Sequence, residues 1–140
     1  MPCYPISSKT LDTVAATHDP TAPVTMLNLW RYRSSAQYAP EHAHLSPAPC
    51  TGEEALLRYR AAIVRVIPRG CSVKFMGKPL GNVAAPEGEE KWDAVVLVEY
   101  PNLQGFRDMV ECKEYVEEIA PHREAGLEEW RLIVNEAVEV

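Results

Sequence analysis

The sequence lacks any run of apolar residues that approaches the ~20 needed for a membrane-spanning helix. No secretory hydrophobic segment follows Met1, and no two of the four cysteines have the CxxC spacing of zinc or redox motifs. Lys and Arg number 14 against 20 Asp and Glu, a net charge of −6, whereas nucleic-acid-binding domains usually present a basic face. These absences predict a cytoplasmic protein with no membrane segment and no nucleic-acid partner.

Several motifs that mark catalysis or cofactor binding are also missing. There is no glycine-rich phosphate loop and no GxSxG nucleophile elbow. His42 and His44 could both reach one ion from an extended segment, but no third ligand follows at a diagnostic spacing. We therefore expect no cofactor and no metal, with a site at these two histidines as the alternative. The four cysteines are expected to be reduced thiols: Cys3, Cys50, Cys71 and Cys112.

Two short segments are rich in β-branched and aromatic residues. Val24–Arg31 and Trp92–Tyr100 are each predicted to form a strand. Side chains alternate between the two faces of a strand, and both faces of both segments are largely apolar. Asn28 interrupts one face of the first segment. A strand that is apolar on both faces must be covered on both faces.

Caps, periodicity and turn residues predict the remaining elements. In chain order the first three are a short helix capped by Ser7-Ser8 with Leu11, Val14 and Ala15 inward, a helix from the Thr51–Glu54 capping box to about Ile67, and a strand Cys71–Lys78. A helix capped by Asn102 follows, with a continuation Glu114–Ala120 that has Val116 inward and that Pro121 closes. The last element is a strand Leu127–Val138. At 140 residues the chain is predicted to be one domain, with its core over about 23–138 and an N-terminal extension over 1–22. The long loop over 34–51 is either a mobile cover or an insertion.

The element order after the extension, β-α-β-β-α-β, predicts an α+β ferredoxin-like fold. Right-handed crossovers bring the four strands into one antiparallel sheet with both helices on one face. Val24–Arg31 and Trp92–Tyr100 are then the central strands. Because the helices cover only one face, the apolar second face predicts a homodimer in which two sheets meet.

Short motifs spread over roughly residues 23–135 form a recognisable combination. They are Met26-Leu27-Asn28-Leu29, Arg31-Tyr32-Arg33, Gly52-Glu53-Glu54-Ala55 with Tyr59, Trp92-Asp93, Tyr100-Pro101 with Phe106 and Met109, and Pro121-His122-Arg123 with Leu127 and Leu132. Together they resemble a widespread family of small proteins of unknown function in the dimeric α/β barrel superfamily. The resemblance implies two sheets that face each other as a barrel, with a cleft between each sheet and its helices. Superfamily relatives include cofactor-free monooxygenases, lyases, polyketide cyclases and haem-degrading enzymes.

Two residues are predicted to transfer protons. His122 follows the second predicted helix and can titrate near neutral pH, and Asp93 is a carboxylate at the start of a central strand, beside a partly apolar cleft. For each of these two residues, a purely structural role is the alternative to proton transfer. His122 and Arg123 can stabilise a helix C-terminus, and Asp93 can pair with Arg31 or Arg131.

Five residues are predicted to bind the substrate: Asn28, Arg31, Tyr59, Trp92 and Arg123. Asn28 lies on a central strand and Tyr59 on the helix stripe that faces the sheet, so both can enter one cleft. Arg123 can hold a carboxylate or phenolate, and Trp92 can wall an aromatic substrate. Arg31 and Asn28 point to opposite faces of an ideal strand and are partial alternatives. Tyr59 and Trp92 can instead simply pack in the core.

Two classes of function are compatible with these residues. The first is a small cofactor-independent enzyme that acts on an aromatic or polyketide-like molecule by proton transfer, as a cyclase, isomerase, lyase or monooxygenase of secondary metabolism. The second is a non-catalytic small-molecule-binding or structural dimer. A cleft lined by titratable groups favours the enzyme, whereas a cleft filled by side chains favours the second class.

Overall fold

The computed structural model describes residues 4–88 and 90–140. The strands of this part are β1 (Val24–Tyr32), β2 (Ser72–Gly77), β3 (Ala94–Tyr100) and β4 (Leu127–Asn135). The α-helices are α1 (Ser8–Thr17), α2 (Gly52–Ile63), α3 (Leu103–Glu111) and α4 (Ala120–Gly126), with a 3-10 helix at Pro40–Leu45 and a π-helical turn at Tyr115–Ile119. Among the helices described, none has the length and apolarity that a membrane span needs.

The four strands form one antiparallel sheet in the order β2-β3-β1-β4. The first and third strands are therefore central, as predicted. In the register of the sheet, Leu27 of β1 lies opposite Leu97 of β3 on one side and Ile133 of β4 on the other. This topology is the ferredoxin-like α+β fold that the element order predicts.

The two faces of the sheet differ in burial. One face packs under the helices and supplies buried core side chains, among them Val24, Met26, Trp30, Ala94, Val96, Tyr100 and Trp130. We call the other the open face, and its apolar residues are Leu27, Leu29, Phe75, Val95, Leu97 and Ile133. Phe75 and Ile133 are 53% and 48% exposed. The open face is the surface that the sequence predicts to meet a second copy.

Helix α2 is shorter than predicted. Its capping box forms as expected, because the Glu54 N–H donates to Thr51 Oγ1 and the Thr51 N–H donates to the Glu54 carboxylate. The helix ends at Ile63 instead of about Ile67. Beyond Ile63 the chain tightens into a turn with bonds three residues back, because the Arg65 N–H donates to the Ala62 carbonyl and the Val66 N–H to the Ile63 carbonyl.

Three strands are also shorter than predicted, and β2 is shorter by one residue at each end. β3 begins at Ala94 and not at Trp92, so that Trp92 falls in the connection before the strand. β4 ends at Asn135 and not at Val138. Its partner β1 begins at Val24, so the chain beyond Asn135 has no strand to pair with there.

The segment between α3 and β4 contradicts two predictions. Pro121 does not close a helix but lies in the first turn of α4, where the missing proline N–H costs nothing. The preceding π-helical turn buries Tyr115 and Ile119 but leaves Val116 52% exposed, although Val116 was expected inward. A π-helical turn has a wider period than an α-helix, so the inward positions shift. As a result, His122 lies inside a helix.

Helix α1 begins where its cap predicts. The Thr10 N–H donates to Ser7 Oγ over 3.1 Å, and Leu11 is buried. Val14 packs against the core, whereas Ala15 is exposed, contrary to the prediction. Leu11 and Val14 form the narrow stripe that α1 buries, and Ala15 falls outside it.

Candidate functional site

A close contact between α2 and α4 sets the geometry of the site. The Arg33 N–H donates to the Gly126 carbonyl over 2.7 Å, and the Gly52 N–H donates to the Arg33 carbonyl over 3.0 Å. A Cβ atom on Gly52 would overlap the Arg33 carbonyl oxygen. The first residue of α2 and the last residue of α4 therefore both bond to the chain that leaves β1, and this contact fixes the two helices side by side.

Tyr59, Tyr115 and Arg123 form a buried chain of hydrogen bonds between the helices and the sheet. Arg123 Nη1 donates to the Tyr115 hydroxyl over 2.6 Å, and the hydroxyls of Tyr115 and Tyr59 are 2.9 Å apart. Burial raises the pKa of Tyr59 well above its usual value, so its phenol stays protonated. Arg123 is 4% exposed and also pairs with Glu124 at 3.6 Å. Two predicted substrate-binding residues are thus brought together through Tyr115.

Two tryptophans pack against this chain of hydrogen bonds from the side of the sheet. The Trp30 and Tyr59 rings meet edge to face with centroids 6.4 Å apart, and the Arg123 guanidinium lies 4.2 Å from the centroid of Trp130. Asn28 shares the helix-covered face and donates to a backbone carbonyl of β3 over 3.4 Å. At this point the sheet–helix cleft is filled by side chains.

His122 of α4 belongs to a different group of side chains. The Tyr38 hydroxyl lies 2.6 Å from His122 Nδ1, and the two rings meet edge to face. Burial lowers the pKa of His122, and the positive charges of Arg58 and Arg65 lower it further. Burial raises the pKa of Tyr38. At neutral pH the phenol therefore donates to an uncharged imidazole.

The loop over 34–51 is held against the helices through side chains. Besides the contact of Tyr38 with α4, Arg58 Nη1 of α2 donates to Ser46 Oγ over 2.8 Å. His42 and His44 lie in the 3-10 helix and not on an extended segment. In the described part of the chain, no three His, Cys, Asp or Glu side chains are grouped so that they could hold a metal ion. Three cysteines are free thiols, Cys50, Cys71 and Cys112, and the fourth, Cys3, lies outside the described residues.

The lowered pKa of His122 predicts a loss of stability in acid. The unfolded chain binds a proton at the ordinary histidine pKa of about 6.5, but the folded protein resists protonation until a lower pH. The stability that neutral His122 contributes is thus present above about pH 6.5 and is lost as the pH falls to the folded pKa.

We therefore expect His122→Asn to lose less unfolding free energy than the wild type between about pH 7 and about pH 5. Urea unfolding at both pH values measures this difference. Equal losses in the two proteins would show that His122 is not the titrating group.

Asp93 lines a polar cavity where β1 ends and β3 begins. The cavity has a volume of about 410 Å³. Asp93 Oδ2 accepts the backbone N–H of Tyr32 over 2.8 Å, which holds the carboxylate beside the strand. Four further polar residues line it, Tyr32, Glu53, Arg60 and Lys78, together with Leu56, Leu57, Met76, Gly77 and Ala94. Burial raises the pKa of Tyr32, with smaller contributions from the charges of Glu53 and Asp93. His122 is not among the residues that line this cavity.

Arg31 points away from Asn28, as the alternation predicts. It lies opposite Glu129 of β4 and pairs with Glu129 at 2.5 Å and with Glu128 at 3.7 Å. Arg131 also pairs with Glu129, at 3.3 Å. The two arginines considered as partners of Asp93 thus both make ion pairs with Glu129.

Trp92 lies in the connection that precedes β3, where it contacts Glu90 and Arg131. Its indole N–H donates to Glu90 over 3.2 Å, and the Arg131 guanidinium lies 5.6 Å from the centroid of its ring. It is not among the residues that line the cavity at Asp93. The seven predicted site residues are therefore distributed over several places in the fold.

Sequence reasoning missed four polar residues of the Asp93 cavity, Tyr32, Glu53, Arg60 and Lys78, and the partner of His122. Arg60 falls off the buried stripe of α2, Lys78 follows β2, and Tyr38 lies in a loop without periodicity, so none carries a local signal. Tyr32 does stand in the Arg31-Tyr32-Arg33 motif, and the bulge after Arg31 brings it to the cavity.

Solved structures match this chain along its whole length. A crystal structure of methylated RPA0582 protein is 30% identical, with 99% of this chain and 98% of that chain covered and a TM-score of 0.83. The chain belongs to the same family as RPA0582. A second structure, described as RPA0582 of unknown function from Rhodopseudomonas palustris, is 29% identical over 100% of both chains, with the same TM-score.

A hydroxynitrile lyase from Passiflora edulis is more distant, at 13% identity and a TM-score of 0.57 over 86% of this chain and 98% of that chain. That likeness shows the fold alone. No protein-family model matches the chain, and no curated protein matches it.

Proposed function

We propose that this member of the RPA0582 family is a homodimeric, cofactor-independent enzyme that moves a proton on a small aromatic or polyketide-like ketone. The observation that carries the proposal is the cavity at Asp93, because titratable groups of both signs line it together. The fold by itself does not indicate a reaction, because one fold can support many different functions.

Asp93 is the proposed general base. One carboxylate oxygen accepts the Tyr32 N–H, and the other can take a proton from a carbon next to a carbonyl group. The resulting enolate oxygen carries negative charge. The protonated Tyr32 phenol and the cations of Arg60 and Lys78 line the same cavity and can stabilise that charge. Leu57 and Met76, which are 55% and 38% exposed, supply apolar surface for the ring of the substrate.

Deuterium exchange tests this proposal without knowledge of the final product. A panel of aryl ketones and phenolic polyketide-like ketones is incubated with the protein in D₂O, and loss of the proton next to the carbonyl is followed by ¹H NMR. The wild type is expected to accelerate exchange of at least one compound. Asp93→Asn should slow that exchange by about 100-fold or more.

Asp108→Asn is the matched control, because Asp108 is an exposed carboxylate on α3 whose partner is Gln104. It should exchange the ketone as fast as the wild type. His122→Ala distinguishes the second proton-transfer candidate, since dependence on His122 instead of Asp93 would place the reaction at the Tyr38–His122 pair. Undiminished exchange by Asp93→Asn would exclude Asp93 as the base.

A non-catalytic binding or structural dimer is the second candidate. The filled cleft around Tyr59 and Arg123 favours it, because that part of the fold has the packing of a core. This function predicts that the panel compounds bind, or that the dimer forms, with no acceleration of exchange.

A further inference from the structure

The connection between β2 and β3 holds apolar side chains that the fold leaves uncovered. Residues 79–86, which we call the arm, read Pro-Leu-Gly-Asn-Val-Ala-Ala-Pro. Leu80 is 97% exposed and Val83 is 105% exposed, and a Cβ atom on Gly81 would meet no heavy atom within 4 Å. A single exposed leucine is ordinary, but a whole apolar segment in solvent marks a surface that another group covers.

The arm begins at the cavity that contains Asp93. Lys78, the residue immediately before the arm, lines that cavity, as does Met76 of β2. One residue of extended chain spans at most ~3.6 Å, so the Leu80 Cα lies within about 7 Å of the Lys78 Cα. Leu57 and Met76 are the apolar residues of the lining that face solvent, at 55% and 38% exposure. They form an apolar rim on which the arm can pack.

Few polar contacts hold the arm in its exposed position. Asn82 Nδ2 donates to the Glu90 carbonyl over 2.5 Å, close to the point where Trp92 donates to the Glu90 carboxylate. Among residues 4–88 and 90–140, no backbone hydrogen bond joins the arm to the sheet or to a helix. Gly88, just beyond the arm, has a φ of +88°, a conformation that favours glycine. The arm can therefore swing over the cavity with the loss of one side-chain hydrogen bond.

The proposed reaction requires a cover over the cavity. Asp93 is exposed, and so are three charged residues that share its cavity, Glu53, Arg60 and Lys78. Water weakens the charge interactions that stabilise an enolate and can return a proton to it. Enzymes commonly exclude water at this stage by closing a loop over the bound substrate.

We propose that the arm closes over the cavity when an aromatic ketone binds, and that Leu80 and Val83 pack on the ring of the substrate. The ring then lies between these two side chains and the apolar rim of Leu57 and Met76. This inference rests on the proposed function, because it names the residues that complete the same site. Burial of Leu80 contributes to affinity only in the closed state, so the arm favours substrates that carry a ring.

Amide hydrogen exchange of the arm tests closure separately from the reaction. The probe is 2,4-dihydroxyacetophenone at millimolar concentration, added to Asp93→Asn protein, which retains the cavity but lacks the proposed base. The arm amides should exchange at the rate of an unstructured chain in the free protein, and about 5-fold or more slowly with the probe. Residues 136–140 are the internal control, because they are also exposed and should exchange equally with and without the probe.

Leu80→Ser tests the contact with the ring. In an otherwise wild-type protein it should lower kcat/KM for deuterium exchange of the probe about 10-fold or more, as expected for a lost buried leucine. Introduced into the Asp93→Asn protein, it should remove the protection of the arm. Val138→Ser is the matched control, because Val138 is 77% exposed and is not among the residues that line the cavity. It should behave as the wild type does in the deuterium-exchange assay.

The two measurements separate this inference from the proposed function. Protection of the arm by the probe without deuterium exchange by the wild type would support the cover and refute the reaction at Asp93. Deuterium exchange that Leu80→Ser performs as fast as the wild type would refute the cover and support the reaction. Unchanged exchange of the arm amides with the probe would also overturn the proposal. An arm already protected in the free protein would overturn it too, by placing the arm against a second copy.

Discussion

Leu97→Asp is expected to convert a homodimer into a monomer. The wild type should scatter light as a particle of about twice 15.7 kDa, and the variant as a particle of 15.7 kDa. Leu97 lies near the centre of the open face, opposite Leu27 on β1 and Phe75 on β2. Meeting a second sheet would bury an unpaired carboxylate at that point, which costs several kcal/mol and is enough to separate most dimers.

Val116→Asp is the matched control for the dimer. Val116 is 52% exposed in the π-helical turn of the helix layer, away from the open face, so the same change there should leave the dimer intact. Circular dichroism confirms that both variants remain folded. A wild type that is monomeric at micromolar concentration would refute sheet-to-sheet pairing, and so would a dimeric Leu97→Asp.

Gly126→Ala is expected to lower the free energy of unfolding by about 3 kcal/mol. Alanine has the better helix propensity, which alone would stabilise α4 by about 0.5–1 kcal/mol. The added Cβ, however, would overlap Leu56 Cδ2 and lie 2.7 Å from the Gly52 carbonyl oxygen. Leu56 is 1% exposed and cannot move away freely. The steric cost of the added Cβ therefore exceeds the gain in helix propensity. To relieve the overlap, α2 and α4 must move apart.

Gly81→Ala is the control, because a Cβ on Gly81 meets no heavy atom within 4 Å. Its unfolding free energy should stay within about 0.5 kcal/mol of the wild type. Urea unfolding with a common m-value measures both variants. A Gly126→Ala protein as stable as the Gly81→Ala protein would show that the contact between α2 and α4 is looser than the structure has it.

Local features of this fold could be read from the sequence because their causes lie within a few residues. Ser7, Thr51 and Asn102 each cap the helix that follows, since each side chain accepts a backbone N–H three positions on. The alternation in β1 and β3 predicted that both strands are central and that both faces of the sheet are apolar. These patterns do not depend on how distant segments pack.

The sequence pattern alone did not predict where several helices and strands begin and end. Val116 and Pro121 were misplaced because a π-helical turn changes the period between α3 and α4. That change of period decides which residues of the second helical segment face inward, and it places His122 within α4.

The meeting of polar side chains was decided by the tertiary structure alone. Tyr59 and Arg123 both bond to the Tyr115 hydroxyl, and His122 meets Tyr38 of the long loop. Asp93 lies in a separate cavity. The sequence determined the sheet, its central strands and its apolar open face, since these follow from residue type and spacing. The close contact of α2 with α4 determined which polar groups lie within hydrogen-bonding distance, because a shift of about one residue along a helix turns a side chain by about 100°.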